Sequence, residues 1–224
     1  MPYFADGKSD IEKYAQTAGV KVVGLYDQGK DAGLMKLGNS KEGACVALCL
    51  RWLGCTMLTQ DFWGTTFAGK DRIKDPGVLD RVMGWIAGCD SQTRNRRIDD
   101  LASNLGLSDY KGATISGQKW FVQNLKTGGD GLCTEVFDAD CHCLIGLATG
   151  THLKASTGSG HAIAFIKTDD GDRRFFDPNF GEFILSMFDG DEFIRPLWNL
   201  GSYHDYDNFS IKRFHPAFQP KSGG

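Results

Sequence analysis

The chain is organised around the segment Asn39-Ser-Lys-Glu-Gly-Ala-Cys-Val-Ala-Leu-Cys-Leu-Arg-Trp-Leu-Gly54. It begins polar and then carries apolar residues at helical spacing, which predicts a helix that ends near Gly54 and is capped by Asn39 or Ser40. Cys45 falls in the first turn, where unpaired N–H groups and the helix dipole favour a thiolate. The pattern also fits a buried core helix, because free cysteine is among the most buried residue types.

The composition is that of an ordinary globular protein. The chain has 224 residues, of which 41% are hydrophobic and 24% charged, with a net charge of −3. This balance gives no indication of a nucleic-acid partner. No segment approaches the about 20 apolar residues of a membrane span, so we expect no stable membrane insertion. Arg94, Arg96 and Arg97 form a small basic cluster, which indicates a solvated helix face in preference to a phosphate or anionic-lipid contact.

The cysteines indicate a reducing compartment. There are seven, an odd number, and four lie in two close groups, Cys45 with Cys49 and Cys141 with Cys143. A chain of this length does not need disulfides, and its N-terminus has no hydrophobic run of signal-peptide type. We therefore expect reduced thiols and action in a cytosol. A bacterial effector that is secreted without a cleavable signal peptide would act in the cytosol of its target cell.

Helical spacing predicts a mainly helical region over residues 40–125. After Gly128, alternating apolar segments predict strands. Short turns at 169–172 and 178–181 join these strands, so the predicted sheet is antiparallel. The fold class is therefore α+β. The predicted helices are Asp10–Ala18, Pro76–Gly88, Thr93–Leu105, Ser116–Leu125 and Asp189–Leu200, and the predicted strands are Val20–Tyr26, Cys141–Ala148, His161–Lys167, Arg173–Phe176, Glu182–Met187 and Asn208–Phe214.

A helical half that opens on a cysteine and precedes an antiparallel sheet is the layout of a papain-like cysteine hydrolase. This chemistry also needs a base and a group that orients the base. His161 begins one strand and Asp177 ends the next, so pairing through the 169–172 turn would bring them together. The predicted catalytic residues are therefore Cys45 as nucleophile, His161 as base and Asp177 as orienting group. Asn39, six residues before Cys45, is the predicted oxyanion donor, together with the Cys45 N–H.

Three blocks of the sequence, taken together, resemble the YopT/AvrPphB-type cysteine proteases, a family of bacterial effectors with a papain-like fold. The 116 residues from Cys45 to His161 and the order Cys, His, Asp also fit this family. The resemblance implies a catalytic triad of Cys45, His161 and Asp177, with Asn39 as oxyanion donor. It also implies proteolysis of a specific host protein. The blocks are Gly43-Ala-Cys-Val-Ala-Leu-Cys-Leu-Arg-Trp52, His161-Ala-Ile-Ala-Phe165 and Phe175-Phe-Asp-Pro-Asn-Phe-Gly-Glu-Phe183.

The resemblance also suggests the organisation of the chain. We expect an N-terminal extension over residues 1–38, a papain-like catalytic domain over 39–218 and a tail over 219–224. The expected partner is a protein substrate, and the sequence leaves the oligomeric state open. Glu182 follows the Asp177 motif and is expected to brace the turn.

Other functions use the same residues. Thioester chemistry also serves deamidation, transamidation and acyl transfer, so a glutamine deamidase, transglutaminase or acyltransferase toxin is the alternative. A catalytically silent binding module is a third hypothesis, against which the intact Cys, His and Asp argue. We expect no metal and no cofactor, because Cys-x-Cys is unusual zinc spacing and strand alternation separates His142 from its neighbouring cysteines. The candidate ligands are Cys133, Cys141, His142, Cys143 and His152.

Overall fold

The computed structural model describes residues 8–39, 44–69, 72–87, 89–109, 115–118, 142–149, 160–168, 171–185, 206 and 208–216. Within this part of the chain, no helix is long and apolar enough to span a membrane. The helices are α1 (Lys8–Thr17), a 3-10 helix (Gln28–Lys30), α2 (Cys45–Met57), α3 (Phe62–Thr66), α4 (Pro76–Ile86) and α5 (Ser91–Asn104). The strands are β1 (Lys21–Leu25), β2 (Leu107–Asp109), β3 (Ile115–Gln118), β4 (His142–Ala148), β5 (Gly160–Lys167), β6 (Arg173–Asp177), β7 (Gly181–Leu185) and β8 (Asn208–Pro216).

The described strands form one sheet with antiparallel pairing throughout. The order of neighbours is β1-β7-β6-β5-β4-β8-β2, and β3 also pairs with β8. Strands β4 to β7 follow one another both in the chain and in the sheet, while β1 comes first in the chain and pairs with β7. The predicted α+β class, helices followed by an antiparallel sheet, is confirmed. In addition, β1 contributes a strand from before helices α2 to α5.

Each face of the sheet has its own hydrophobic core, which explains why β5 is apolar almost throughout. Ile163 and Phe165 pack in the core that contains α1, whereas Ala162 and Ala164 pack in the core that contains α2. The small alanine side chains let α2 approach the sheet closely. The thiol of Cys49 accordingly donates to the carbonyl of Ala162 at 3.4 Å.

Helix α2 lies in the centre of its core and runs three residues beyond the predicted end at Gly54. Trp52, Leu53, Gly54 and Cys55 are all buried within it. A Cβ on Gly54 would lie 3.1 Å from the Leu105 Cβ. This glycine therefore permits close contact with the end of α5 and does not terminate the helix.

Two further predictions about elements are wrong. Ala44 is the N-cap residue of α2 and makes no side-chain cap bond, so Asn39 does not cap this helix. Residues 115–118, part of which was predicted as helix, form β3 and pair with β8. Pairing with a neighbouring strand satisfies backbone groups that a short, weakly amphipathic helix would satisfy less stably. Ser40, residues 119–125 and the helix predicted at 189–200 lie outside the described residues.

The turn between β6 and β7 requires glycine at Gly181. Its φ is +120°, and a Cβ there would lie 2.1 Å from the carbonyl oxygen of Gly24 in β1. Strand β1 therefore pairs this closely with the start of β7 only because Gly181 has no side chain. The segment before residue 39 thus contributes both a strand and, through Ile11 in α1, part of the core.

Glu182 joins the sheet to α3. Its carboxylate is fully buried and accepts hydrogen bonds from the Arg174 Nε at 2.8 Å and from a second Arg174 nitrogen. Its other oxygen accepts from the Trp63 Nε1 at 2.6 Å. These contacts give the carboxylate a charged partner and a neutral donor, which together offset the cost of its burial.

Glu182→Ala is expected to lower the free energy of unfolding by about 3 kcal/mol, because it leaves the Arg174 charge and the Trp63 N–H without their acceptor. This loss is at the low end of the range for breaking a buried ion pair, because the Arg174 side chain is 28% exposed and water can still solvate it. Urea denaturation measures the loss. Lys30→Ala, which removes the ion pair between the exposed Lys30 amine and Asp27, is the control. It should cost under about 1 kcal/mol, because Asp27 keeps its hydrogen bond from the Gly29 N–H. Equal losses in both variants would contradict the bracing role.

Candidate active site

Cys45 is the first residue of α2, and its side chain is partly exposed. Ala44 before it has no polar side chain that could cap the first-turn N–H groups. The positive end of the helix dipole therefore acts on the thiol. The structure thus places Cys45 in the first turn of the helix, where the sequence predicts it.

His161 and Asp177 lie at neighbouring strand ends and are in contact. Ala164 of β5 pairs with Phe176 of β6, and this register carries the ends of the two strands together. The His161 Nε2 lies 3.0 Å from the Asp177 Oδ1. His161 is 7% exposed and Asp177 is 0% exposed, so water does not weaken this contact.

The carboxylate of Asp177 is held by the turn that follows it. Its Oδ1 accepts a second hydrogen bond from the backbone N–H of Asn179 at 2.6 Å, and its carbonyl accepts from the Phe180 N–H at 3.0 Å. Its Oδ2 is buried and has no hydrogen-bond partner among the described residues. One oxygen therefore makes both contacts and faces His161.

The protonation state of His161 is set by these neighbours. Burial by itself lowers the pKa of His161, but the charge and hydrogen bond of Asp177 and the hydrogen bond and charge of Cys45 together raise this pKa to about 10. The ring is therefore an imidazolium at neutral pH. Because Nε2 faces Asp177, Nδ1 is the nitrogen left to contact the Cys45 thiol.

Cys49, one turn after Cys45, has a different environment. It is fully buried, and its thiol donates to the Ala162 carbonyl. Burial raises the pKa of Cys49 well above its ordinary value, and the charges of Cys45 and Asp177 raise it further. Cys49 is therefore a neutral packing thiol, and the prediction that it faces the core is confirmed.

Asn39 is not seen in contact with this group of residues. It is exposed, and its backbone N–H and side-chain amide donate to the two oxygens of Asp80 in α4, at 2.8 Å and 3.1 Å. Its amide is thus already engaged, and residues 40–43, which join it to Ala44, lie outside the described part of the chain. The oxyanion role of Asn39 stays a prediction.

Gln28 is a buried side chain at the site that sequence reasoning missed. Its Oε1 accepts from the backbone N–H of Ala44 at 2.7 Å, and its Nε2 donates to the Asn179 Oδ1 at 2.8 Å. The sequence around it, Asp-Gln-Gly-Lys, indicates only a polar loop. Nothing in its spacing could have placed it between residues 44 and 179.

The candidate metal ligands are only partly described. Cys143 is buried in the sheet, and burial together with the charge of Arg174 lowers the pKa of His142 to about 4. The described residues contain no group of three or more side chains arranged to hold a metal. Cys133, Cys141 and His152 lie outside them.

A sheet with a helix packed across it, and a buried His–Asp pair beside a cysteine at the helix start, form the layout that papain-like cysteine proteases share. Residues 123–216 match the peptidase C58 family, described as Yersinia/Haemophilus virulence surface antigen. The chain is 25% identical over 193 residues to the cysteine protease yopT1 of Yersinia enterocolitica (serotype O:8 / biotype 1B), an alignment that covers 76% of this chain and 55% of the relative.

The crystal structure of the Pseudomonas avirulence protein AvrPphB is similar in fold, with a TM-score of 0.60 at 15% identity over 92% of this chain and 99% of that one. These matches confirm the resemblance found in the sequence: the chain is similar to cysteine proteases of the YopT type, and AvrPphB shares its fold. It spans 55% of the length of its curated relative.

Proposed function

We propose that this chain is a cysteine endopeptidase that cleaves a specific target protein through Cys45, His161 and Asp177. The observation that supports this function is a single buried imidazole, His161, which contacts Asp177 at 3.0 Å and also the thiol at the start of α2. A nucleophile, a proton-transferring group and an orienting carboxylate are the parts that acyl transfer requires.

In the proposed reaction, His161 already holds the Cys45 proton, and the two side chains form a thiolate–imidazolium pair. The thiolate attacks the carbonyl carbon of the scissile peptide. The oxyanion that develops accepts a hydrogen bond from the backbone N–H of Cys45. The imidazolium then protonates the leaving nitrogen as the C–N bond breaks, which leaves a thioester. His161 next removes a proton from water, whose oxygen attacks the thioester, and Cys45 departs as a thiolate. Asp177 keeps the ring in one orientation throughout.

A protein of a target cell is the proposed substrate, and export to that cell is the proposed route to it. The virulence proteins among the matches support this assignment. The cysteines of the described residues are all free thiols. They suit a reducing cytosol, where a reactive thiolate is not consumed by oxidation.

The first test measures the ion pair without a substrate. Iodoacetamide should alkylate Cys45 rapidly at about pH 6, whereas His161→Ala should slow this reaction at least about tenfold, because an unassisted thiol is mostly protonated there. Peptide mapping by mass spectrometry follows Cys45 and, as an internal control, the partly exposed Cys89. Cys89 should react equally in both proteins. Equal alkylation of Cys45 in both proteins would contradict the proposed site.

The second test identifies the bond that is broken. Eukaryotic and bacterial cell lysates are treated with the wild-type protein, and newly formed protein N-termini are sequenced by mass spectrometry. A peptidase creates new N-termini at a restricted set of sites. A deamidase or acyltransferase would instead change the intact mass of a target without breaking its chain, and that result would replace the peptidase proposal with the alternative function.

A further inference from the structure

Gln28 lies between two parts of the chain that carry catalytic groups. It belongs to the 3-10 helix and is 6% exposed. Its carboxamide oxygen accepts from the Ala44 N–H at 2.7 Å and its nitrogen donates to the Asn179 Oδ1 at 2.8 Å. Its backbone N–H donates to the Pro178 carbonyl at 2.9 Å. Both ends of this side chain are therefore engaged, and its backbone is tied to the same turn.

The orientation of the Gln28 amide follows from its partners. The backbone N–H of Ala44 can only donate, so the atom that faces it must be the carboxamide oxygen. The nitrogen then faces Asn179, whose side-chain oxygen accepts. A flipped amide would place two donors against each other at the Ala44 end. The bridge is thus geometrically determined.

Each hydrogen-bond partner of Gln28 is bonded to a proposed catalytic residue, either covalently or through a hydrogen bond. Ala44 is the N-cap residue immediately before Cys45. Asn179 donates its backbone N–H to the Asp177 oxygen that contacts His161. The nucleophile and the His161–Asp177 pair are carried by separate elements, α2 and the β5–β6 hairpin. The Gln28 side chain therefore links the start of α2 to the turn that holds Asp177.

We propose that Gln28 is a positioning residue: its carboxamide holds Cys45 and the His161–Asp177 pair at the separation at which thiol and imidazole share a proton. This inference rests on the proposed function. It also gives the segment before residue 39 a part in catalysis. Misplacement of reacting groups by about 1 Å can cost about a hundredfold in rate, so a bridge of this kind has a measurable effect.

Three substitutions separate the bridge from its surroundings. Gln28→Leu keeps the volume and removes both hydrogen bonds. Gln28→Asn keeps the same polar groups on a shorter side chain, which cannot reach both partners. Gln28→Glu keeps the reach and an acceptor for the Ala44 N–H, and the Asn179 amide can turn to donate to its other oxygen. The glutamate variant is therefore the conservative rescue.

Tyr26→Phe is the matched control from the same segment. It removes a buried hydrogen bond, from the Tyr26 hydroxyl to the Asp31 Oδ2 at 3.1 Å, that involves none of the proposed site residues. Asp31 keeps the Ile73 N–H on that oxygen at 3.0 Å. This variant should lose thermal stability much as Gln28→Leu does, without a change in the reactivity of Cys45.

The experiment is the pH profile of Cys45 alkylation by iodoacetamide in the full chain, with thermal melting measured alongside. Gln28→Leu and Gln28→Asn should react about 10- to 100-fold more slowly than wild type near pH 6 and approach it above about pH 8.5, where an unassisted thiol ionises. Gln28→Glu should restore most of the rate, and Tyr26→Phe should match wild type. A purely structural role would lower the melting temperature and leave the profile unmoved.

The outcomes distinguish this inference from the function on which it rests. If His161→Ala slows alkylation and Gln28→Leu does not, the positioning role is wrong and the proposed site stands. If Tyr26→Phe slows alkylation as much as Gln28→Leu does, general loosening explains both, and the positioning role is again wrong. If His161→Ala leaves the profile of wild type unchanged, the ion pair itself is wrong and both proposals fail.

Discussion

Replacing Cys45 by alanine is expected to abolish cleavage and to leave thermal stability close to that of the wild type. The thiolate forms the covalent intermediate, and loss of such a nucleophile lowers turnover by about 10⁶-fold in triad enzymes. The side chain is partly exposed at the start of α2, so its removal opens little buried space. The measurement is the set of new N-termini in treated lysates, read together with the melting temperature.

Cys49→Ala is the matched control, one turn further along the same helix. Cys49 is fully buried and donates to the Ala162 carbonyl, so its truncation should cost about 1–2 kcal/mol of unfolding free energy. Cleavage, and the alkylation of Cys45 near pH 6, should persist. The two variants thus predict opposite patterns. If Cys45→Ala were active and Cys49→Ala inactive, Cys49 would be the nucleophile, and the proposed mechanism would be contradicted.

The sheet and the proposed residues could be predicted because local patterns determine them. The residues of strand β5 are mostly apolar, and a glycine precedes them while a turn follows them. Because β6 begins after this short turn, the two strands must pair antiparallel. His161 and Asp177 then fall together by register alone. The position of Cys45 at a helix start likewise follows from where the polar residues stop and the apolar spacing begins.

Features that depend on distant partners could not be predicted in this way. Residues 115–118 have no strong sequence pattern of their own. They form a strand because their backbone groups pair with those of β8. Gly54 resembles a helix end until Leu105 is known to pack against it. Gln28 has no local signal, since its partners lie 16 and 151 residues away. Long-range contacts override local propensity at all three places.

Asp177→Ala should lower the catalytic rate by about 10³-fold, and Asp177→Asn should lower it much less. Both hydrogen bonds to this side chain, from the His161 ring and the Asn179 N–H, reach the same oxygen, Oδ1. An asparagine amide oxygen at that position accepts both, so the ring keeps its orientation. Alanine removes the acceptor and leaves the imidazole free to turn, so the orienting role of this residue is lost.

The two substitutions also separate orientation from charge. In Asp177→Asn the burial that lowers the pKa of His161 remains, while the negative charge that most raises it is gone. The imidazolium should therefore be lost at lower pH and support the thiolate less, so Cys45 alkylation should become fast only at higher pH than in the wild type, closer to the behaviour of an unassisted thiol. Alkylation measured against pH in the three proteins tests this. If asparagine proves as damaging as alanine, Asp177 acts through its charge; if both match wild type, it does not support His161 at all.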